Sequence, residues 1–136
     1  MFPTTKVSSF QVGNCTIQAV TMRFGDRFVV LLSTTGKVGQ MFSIAHQRSM
    51  VRPVVRDLLP MSDLDVKCVL GNSQGPKFMW SQLLASQIAS LLVHQQADSP
   101  APVTRFLVGL HLPWSSDDDA NGDLVRAVLE KVAEQC

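Results

Sequence analysis

Hydrophobic and polar residues are distributed along this chain in a pattern that predicts six short strands and two longer helices. Residues 78–93 carry no charge, and Trp80, Leu84 and Ile88 follow one another at four-residue intervals, the spacing of an amphipathic helix. Serine and glutamine interrupt this stretch too often for a membrane span, which needs about twenty predominantly apolar residues. We therefore predict a helix that packs against a sheet and turns its serines and glutamines toward water.

Shorter apolar runs before and after this helix predict the strands of the sheet. The predicted strands are residues 7–12, 15–23, 27–34, 40–45, 65–70 and 104–112, and a second helix is predicted over residues 123–134. Gly13-Asn14 and Gly25-Asp26 are two-residue hairpin signals. Residues 35–39 are expected to form the next turn, so that the first four strands make an antiparallel meander. The predicted fold class is α+β with the element order β-β-β-β-β-α-β-α, a six-stranded, mainly antiparallel sheet and both helices on one face.

Two of the predicted strands are apolar on both sides. Residues 28–32 read FVVLL and residues 106–110 read FLVGL, whereas a strand with one face in water alternates between apolar and polar residues. Two helices can cover one side of such a sheet, and no segment is left to cover the other. We therefore expect the sheet of a dimer partner to bury the second face. The candidate residues for this dimer face are Phe28, Val30, Leu32, Phe106 and Val108.

Length, charge and cysteine content narrow the class of protein. At 136 residues the chain is expected to be a single domain, residues 1–136, and a net charge of +1 without a Lys/Arg cluster argues against nucleic-acid binding. Three widely spaced cysteines predict neither a disulfide framework nor a zinc site, which suits a reducing compartment. The N-terminus shows no secretion signal. We expect a protein of the cytoplasm, or also of the nucleus, without membrane span, metal or cofactor.

Three short motifs are candidates for chemistry. Asp117-Asp118-Asp119 could approach a metal ion, but adjacent carboxylates rarely supply the roughly six to eight oxygens of a calcium site, and a solvated loop is the preferred interpretation. Thr35-Gly36-Lys37 resembles part of a phosphate-binding loop without its GxxxxGKS/T spacing, so a hairpin turn is preferred. Cys68 and His111, on strands expected to be neighbours, form a formal nucleophile–base pair, although cysteine in an apolar pattern is ordinarily a core residue.

The two tryptophans receive different interpretations. Trp80 lies in the apolar stripe of the long helix and is expected in the core. Trp114 lies between a proline and two serines, in a predicted loop, and is the better candidate for a surface contact, since tryptophan is enriched at binding hot spots.

Residues 45–64 interrupt the succession of strands and read as a long loop, which inside a compact domain is usually functional or disordered. The candidate partner-binding residues of this loop are Arg48, Met50, Arg52, Arg56 and Leu58. The arginines would form charge-assisted hydrogen bonds with acidic groups of a partner, and the two apolar residues would add contact area. A tolerated surface insertion is the alternative.

Three segments together resemble the proteasome assembly chaperone 3 family. They are VVLLSTTGKVGQMFSIA, VKCVLGNSQGPKFMWSQLLASQIASLLV, and RFLVGLHL with the amphipathic helix that follows it. The resemblance implies a non-enzymatic chaperone that forms a homodimer, or a heterodimer with the related fourth assembly chaperone. It also implies binding to proteasome α subunits and promotion of α-ring assembly, through a dimer made of two sheets flanked by helices.

Two further functions stay open on the sequence. One is a scaffolding subunit of a different complex, for example in trafficking or GTPase regulation, which would share the predicted dimer and differ in its partner. The other is a small enzyme that depends on Cys68 and His111, which requires the two side chains to meet.

Overall fold

The computed structural model of this chain describes residues 4–12, 14–46, 64–71, 75–96 and 103–135. The elements are β1 (Thr4–Val12), β2 (Cys15–Arg23), β3 (Phe28–Ser33), β4 (Gln40–His46), β5 (Leu64–Leu70), α1 (Pro76–Gln95), β6 (Arg105–His111) and α2 (Asp118–Gln135). All six strands belong to one open, mixed sheet. The predicted α+β class and the predicted order of elements are confirmed.

The sheet has the strand order β1-β2-β3-β6-β4-β5. β1, β2 and β3 form the predicted antiparallel meander, and Val12 faces Cys15 across the two-residue turn expected between them. The meander does not continue to β4, because β6 lies between β3 and β4, parallel to the first and antiparallel to the second. Strands that follow one another in sequence usually pair, so the pattern alone favoured the wrong neighbour for β3.

Residues 34–39 therefore form a crossover loop over the end of β6, and the hairpin turn predicted here is wrong. The Thr34 N–H donates to the His111 carbonyl at 3.1 Å, and the Gly39 N–H donates to the Leu110 carbonyl at 3.2 Å. Within the loop, the Ser33 hydroxyl donates to the Lys37 carbonyl at 2.6 Å. These bonds satisfy the backbone of a segment that has no ladder of its own.

Both helices pack on one face of the sheet, which we call the helix face. The rings of Phe42 and Phe78 lie 5.9 Å apart, which places β4 against α1. The core includes strand residues Ile17, Ala19, Val30, Leu32, Phe42, Ile44, Phe106, Val108 and Leu110, and helix residues Leu84, Ala85, Ile88, Ala89, Leu92, Leu124, Val125, Val128 and Val132. Most of these side chains are fully buried, so the helix face is closed by the chain itself.

The long helix is buried on more sides than its apolar stripe predicts. Leu84, Ile88 and Leu92 are fully buried as expected, but Ser81, Ser86 and Ser90 are at most 8% exposed instead of facing water. The hydroxyls of Ser86 and Ser90 donate to the backbone carbonyls one helical turn earlier, at 2.9 and 3.0 Å. A serine whose hydroxyl is satisfied by its own helix can be buried at little cost, which the hydrophobic pattern does not reveal.

The second helix begins at Asp118, five residues earlier than the apolar stripe predicts. The Asp119 N–H donates to Asp117 Oδ1 at 3.0 Å, and the Asn121 N–H donates to the Asp117 carbonyl at 3.1 Å. The Asp117 side chain thus satisfies one orphan N–H group at the helix start, and its carbonyl accepts the first bond within the helix. Carboxylates at this end also suit the helix dipole. The polar loop expected up to Asn121 is therefore shorter than predicted, and the helix includes Asp118, Asp119 and Asn121.

The two tryptophans lie side by side, and both pack with the core of the helix face. Trp114 is buried, with its Nε1–H donating to Ser81 Oγ at 2.8 Å. Trp80 is half-buried and stacks on Trp114 with ring centroids 6.1 Å apart, while its Nε1–H donates to Asp118 Oδ1 at 3.4 Å. The prediction of Trp114 as a surface contact is therefore wrong, because a polar loop returns this ring to α1 and joins the two helices.

Gln96 connects the end of α1 to the segment that enters β6. The Val103 N–H donates to Gln96 Oε1 at 2.7 Å, and Gln96 Nε2 donates to the carbonyls of Val103 at 3.3 Å and Leu92 at 3.2 Å. The side chain is about nine-tenths buried, so all three bonds are shielded from water. Gln96 thereby sets where β6 begins relative to the helix.

We expect Gln96→Ala to lower the free energy of unfolding by about 1–3 kcal/mol, because it leaves the buried polar groups of Val103 without partners. Urea denaturation followed by circular dichroism measures the change. The control is Gln95→Ala, at a neighbouring exposed position, where a surface substitution should change stability by less than about 0.5 kcal/mol. Equal losses in the two variants would contradict this role for Gln96.

Candidate functional site

The side of the sheet away from the helices, the open face, carries an apolar row across all six strands. Register pairs connect its members in spatial order as Val7, Val20, Leu31, Gly109, Met41 and Leu70. Every member is the neighbour in register of the next, so the row contains no polar side chain from one edge of the sheet to the other. An edge-to-edge apolar row is unusual on a sheet face that meets water.

The rows of register neighbours on either side of the apolar row show where the apolar surface ends. One adjacent row is apolar at its centre and polar at its edges: Thr5, Met22, Val29, Leu107, Ser43 and Lys67. On the other side of the apolar row lie Ser9, Gln18, Ser33 and His111. At the opposite end of the sheet lie Arg105, Ala45 and Asp65. An apolar centre within a polar rim is the usual anatomy of a protein–protein interface.

The two edges of the row are the most exposed parts of this surface. Val7 on β1 is 72% exposed and Leu70 on β5 is 52% exposed. The register of β5 shifts opposite Met41 and Phe42, which leaves Val69 as an additional residue that is 55% exposed. Such a bulge places two residues opposite one on the partner strand. It adds Val69 to the apolar residues at this edge.

The predicted dimer-face residues lie on the opposite side of the sheet. Val30, Leu32, Phe106 and Val108 are at most 2% exposed and belong to the core shared with the helices, and Phe28 is partly buried against that core. Val108 is the register neighbour of Val30 on one side and, on the other side, of Phe42, whose ring contacts Phe78 of α1. The choice of these five residues is therefore corrected, because they face the chain's own helices.

The alternate residues of the same strands form the open face instead, among them Val29, Leu31 and Leu107. The sequence already contained the signal that both sides of these strands are apolar. It could not tell which set meets the helices, since both sets are apolar and each has a period of two. The dimer itself stays a prediction.

The predicted partner-binding loop falls outside the residues that the structure describes. This applies to Arg48, Met50, Arg52, Arg56 and Leu58. β4 extends to His46 and β5 begins at Leu64, so both ends of the predicted segment 45–64 belong to strands. The assignment of the five residues to partner binding stays a prediction.

Cys68 and His111 do not form a nucleophile–base pair. β4 lies between β5 and β6. Cys68 is in register with Phe42 on the helix face, whereas His111 is in register with Ser33 on the open face. The Cys68 thiol donates to the Leu70 carbonyl at 3.3 Å. A strand and the thickness of the sheet separate the two side chains, so the enzyme that depends on both is contradicted.

The remaining candidates for chemistry are structural in this fold. Within the described ranges, no three His, Cys, Asp or Glu side chains come together in a way that could hold a metal ion. Asp117 caps α2, and Thr35-Gly36-Lys37 belongs to the crossover loop. Neither described helix combines the length and apolar character that crossing a membrane requires.

Comparison with known proteins identifies the family. A scan against protein-family models returned no match. Uncharacterized protein C16E9.19 of Schizosaccharomyces pombe is 35% identical over 142 residues, which cover 100% of this chain and 99% of that protein. The chain belongs to the family of this fission-yeast protein. The likeness extends over the whole sheet and both helices.

The fold also occurs in a solved structure, the crystal structure of a chaperone complex for yeast 20S proteasome assembly. A chain of that complex superposes with a TM-score of 0.60 and 16% identity, covering 98% of this chain and 100% of the other. At 16% identity the likeness shows that the two chains share a fold and shows nothing more about this chain. The superposition leaves no large element of either chain without a counterpart.

Proposed function

We propose that this protein is a non-catalytic chaperone of proteasome assembly, acting as a dimer that binds α subunits of the core particle and promotes formation of the α ring. The observation that carries the proposal is the likeness of fold over 98% of this chain to a chain of a chaperone complex for yeast 20S proteasome assembly. The likeness in sequence of three segments to the proteasome assembly chaperone 3 family points the same way. The cytoplasm is the proposed site of action, with the nucleus as a second compartment.

The open face supports the dimer. It presents an uncharged row across six strands, and monomeric soluble proteins rarely expose a large contiguous apolar surface. Two sheets packed face to face, with the helices outside, would bury this row. The partner is a second copy of this chain or a related chain such as the fourth assembly chaperone.

The segment between β4 and β5 is the proposed contact with the α subunit. The arginines of this segment can form charge-assisted hydrogen bonds with carboxylates of a subunit surface. The two ends of the segment, His46 and Leu64, pair with each other at the end of β4 and β5 that is opposite to Met41 and Leu70 of the apolar row. Dimer contact and client contact thus use different parts of the chain.

We expect immobilised protein to retain α-type subunits of the proteasome core from a native extract, and to bind at least one α subunit when each is purified and added alone. Quantitative mass spectrometry and gel filtration measure the two steps. Retention of another complex without α subunits would replace the proposal with the scaffolding alternative. Binding to fully assembled core particles alone would exclude a role in α-ring assembly.

Reversing the loop arginines, as Arg48→Glu, Arg52→Glu and Arg56→Glu together, should weaken binding to the α subunit about tenfold or more, because each lost charge-assisted bond is worth roughly 1.5–3 kcal/mol. Titration calorimetry measures the affinity. The control is the triple reversal of Arg23, Arg27 and Arg126, which are exposed outside the loop and change the net charge equally. Weakening by the control alone, or by both triples equally, would remove the loop from the proposed contact.

The combined variant Val7→Asp and Leu70→Asp should raise the dimer dissociation constant about a hundredfold or more, because each carboxylate would be buried without a partner. Both positions are more than half exposed in the single chain, so the fold should tolerate them. Sedimentation velocity measures the association. Met79→Asp on α1 is the matched control, since Met79 is 70% exposed on the helix side of the molecule. Dissociation by Met79→Asp instead would place the interface on the helices.

A further inference from the structure

Gly109 lies at the centre of the open face. It occupies the apolar row on β6, between its register neighbours Leu31 on β3 and Met41 on β4, and it is buried. Its backbone does not require glycine, because the described glycines with positive φ are Gly36, Gly71 and Gly75. Glycine in a central strand costs conformational entropy and contributes no side chain to packing. A reason other than backbone conformation must hold glycine here.

The space above Gly109 is filled by two other side chains. A Cβ atom at this position would lie 2.7 Å from Leu31 Cδ2 and 3.0 Å from Val38 Cγ1, both closer than ordinary contacts. Leu31 reaches this place from the neighbouring strand, and Val38 reaches it from the crossover loop, which the Ser33–Lys37 hydrogen bond closes. The missing side chain therefore lets Leu31 and Val38 meet over β6.

We propose that Gly109 is a specificity-determining residue of the dimer surface, which sets the height of its centre so that a second copy of this chain can pack there. Packed sheets lie about 10 Å apart, so one additional carbon atom at the centre changes how closely the two faces approach. Leu31, Val38 and Met41 form the surface that the second copy contacts. This inference rests on the proposed dimer.

The chemistry of the open face fits a second copy of itself. The apolar row is uncharged across all six strands, and the described charges on the face belong to its rim: Asp65, Lys67 and Arg105. These rim residues carry both signs, so a two-fold arrangement can bring opposite charges together. A partner whose sheet face carries a single sign of charge would lack this complementarity.

We expect Gly109→Ala to raise the dissociation constant of the dimer about fivefold or more (about 1 kcal/mol or more), because an added carbon atom overpacks the centre of the contact. The monomer should tolerate the change, because the nearest atom is the end of the flexible Leu31 side chain. Sedimentation equilibrium of the full chain measures the constant, and thermal unfolding confirms the fold. Gly25→Ala is the matched control, since a Cβ atom at Gly25 meets nothing within 4 Å.

A second variant tests the same proposal if Gly109→Ala fails to fold. Val38→Ala shortens the crossover-loop side chain that lies over Gly109 and leaves the strands unchanged. It should raise the dissociation constant of the dimer about threefold or more, because two methyl groups are lost from the packed centre of the contact. If the wild-type protein is dimeric and neither variant changes its dissociation constant by about twofold or more, the role of Gly109 is overturned and the proposed dimer is not. A wild type that stays monomeric overturns the proposed self-association, and this inference with it.

Discussion

The hydrogen-bond ladder that β6 forms on both of its sides is the interaction on which the rest of this structure depends. One ladder joins β6 to β3 in parallel and the other joins it to β4 in antiparallel fashion. Without β6, the meander of the first three strands and the β4–β5 pair would each present an unpaired edge, which invites aggregation. Since α1 connects β5 to β6, the helix must pass over the sheet before the chain can insert its last strand. The position of the helices follows from that connection.

The helices cover only one of the two faces of the sheet. α1 and α2 close the helix face with a core of mostly fully buried side chains. Trp80 of α1 stacks on Trp114 in the segment before α2 and donates a hydrogen bond to Asp118 at the start of α2. The open face has no such cover among the described residues, yet its central strands are apolar there too. Burial of this face is the reason for proposing that a second sheet packs on it. The proposed chaperone function uses that association and leaves the segment between β4 and β5 for the client.

The elements themselves could be predicted from the sequence because their signals are local. Strand and helix periodicity, the turn at Asn14 and the apolar stripe Leu84, Ile88 and Leu92 need no information from distant residues. The apolar character of both sides of β3 and β6 was also visible, and with it the need for two covering layers.

Tertiary structure alone decided how these elements meet. The position of β6 between β3 and β4 depends on backbone hydrogen bonds between segments far apart in sequence, which no local pattern encodes. The alternate residues on the two sides of β3 and β6 are equally apolar, so the sequence does not indicate which side meets the helices. In the structure Val30 and Val108 belong to the core, and Leu31 lies on the open face. Buried serines and Trp114 depended on hydrogen-bond partners that folding supplies. The sequence determined that both sides of the central strands are apolar, and the three-dimensional arrangement determined which of these residues the chain's own helices cover and which stay on the open face.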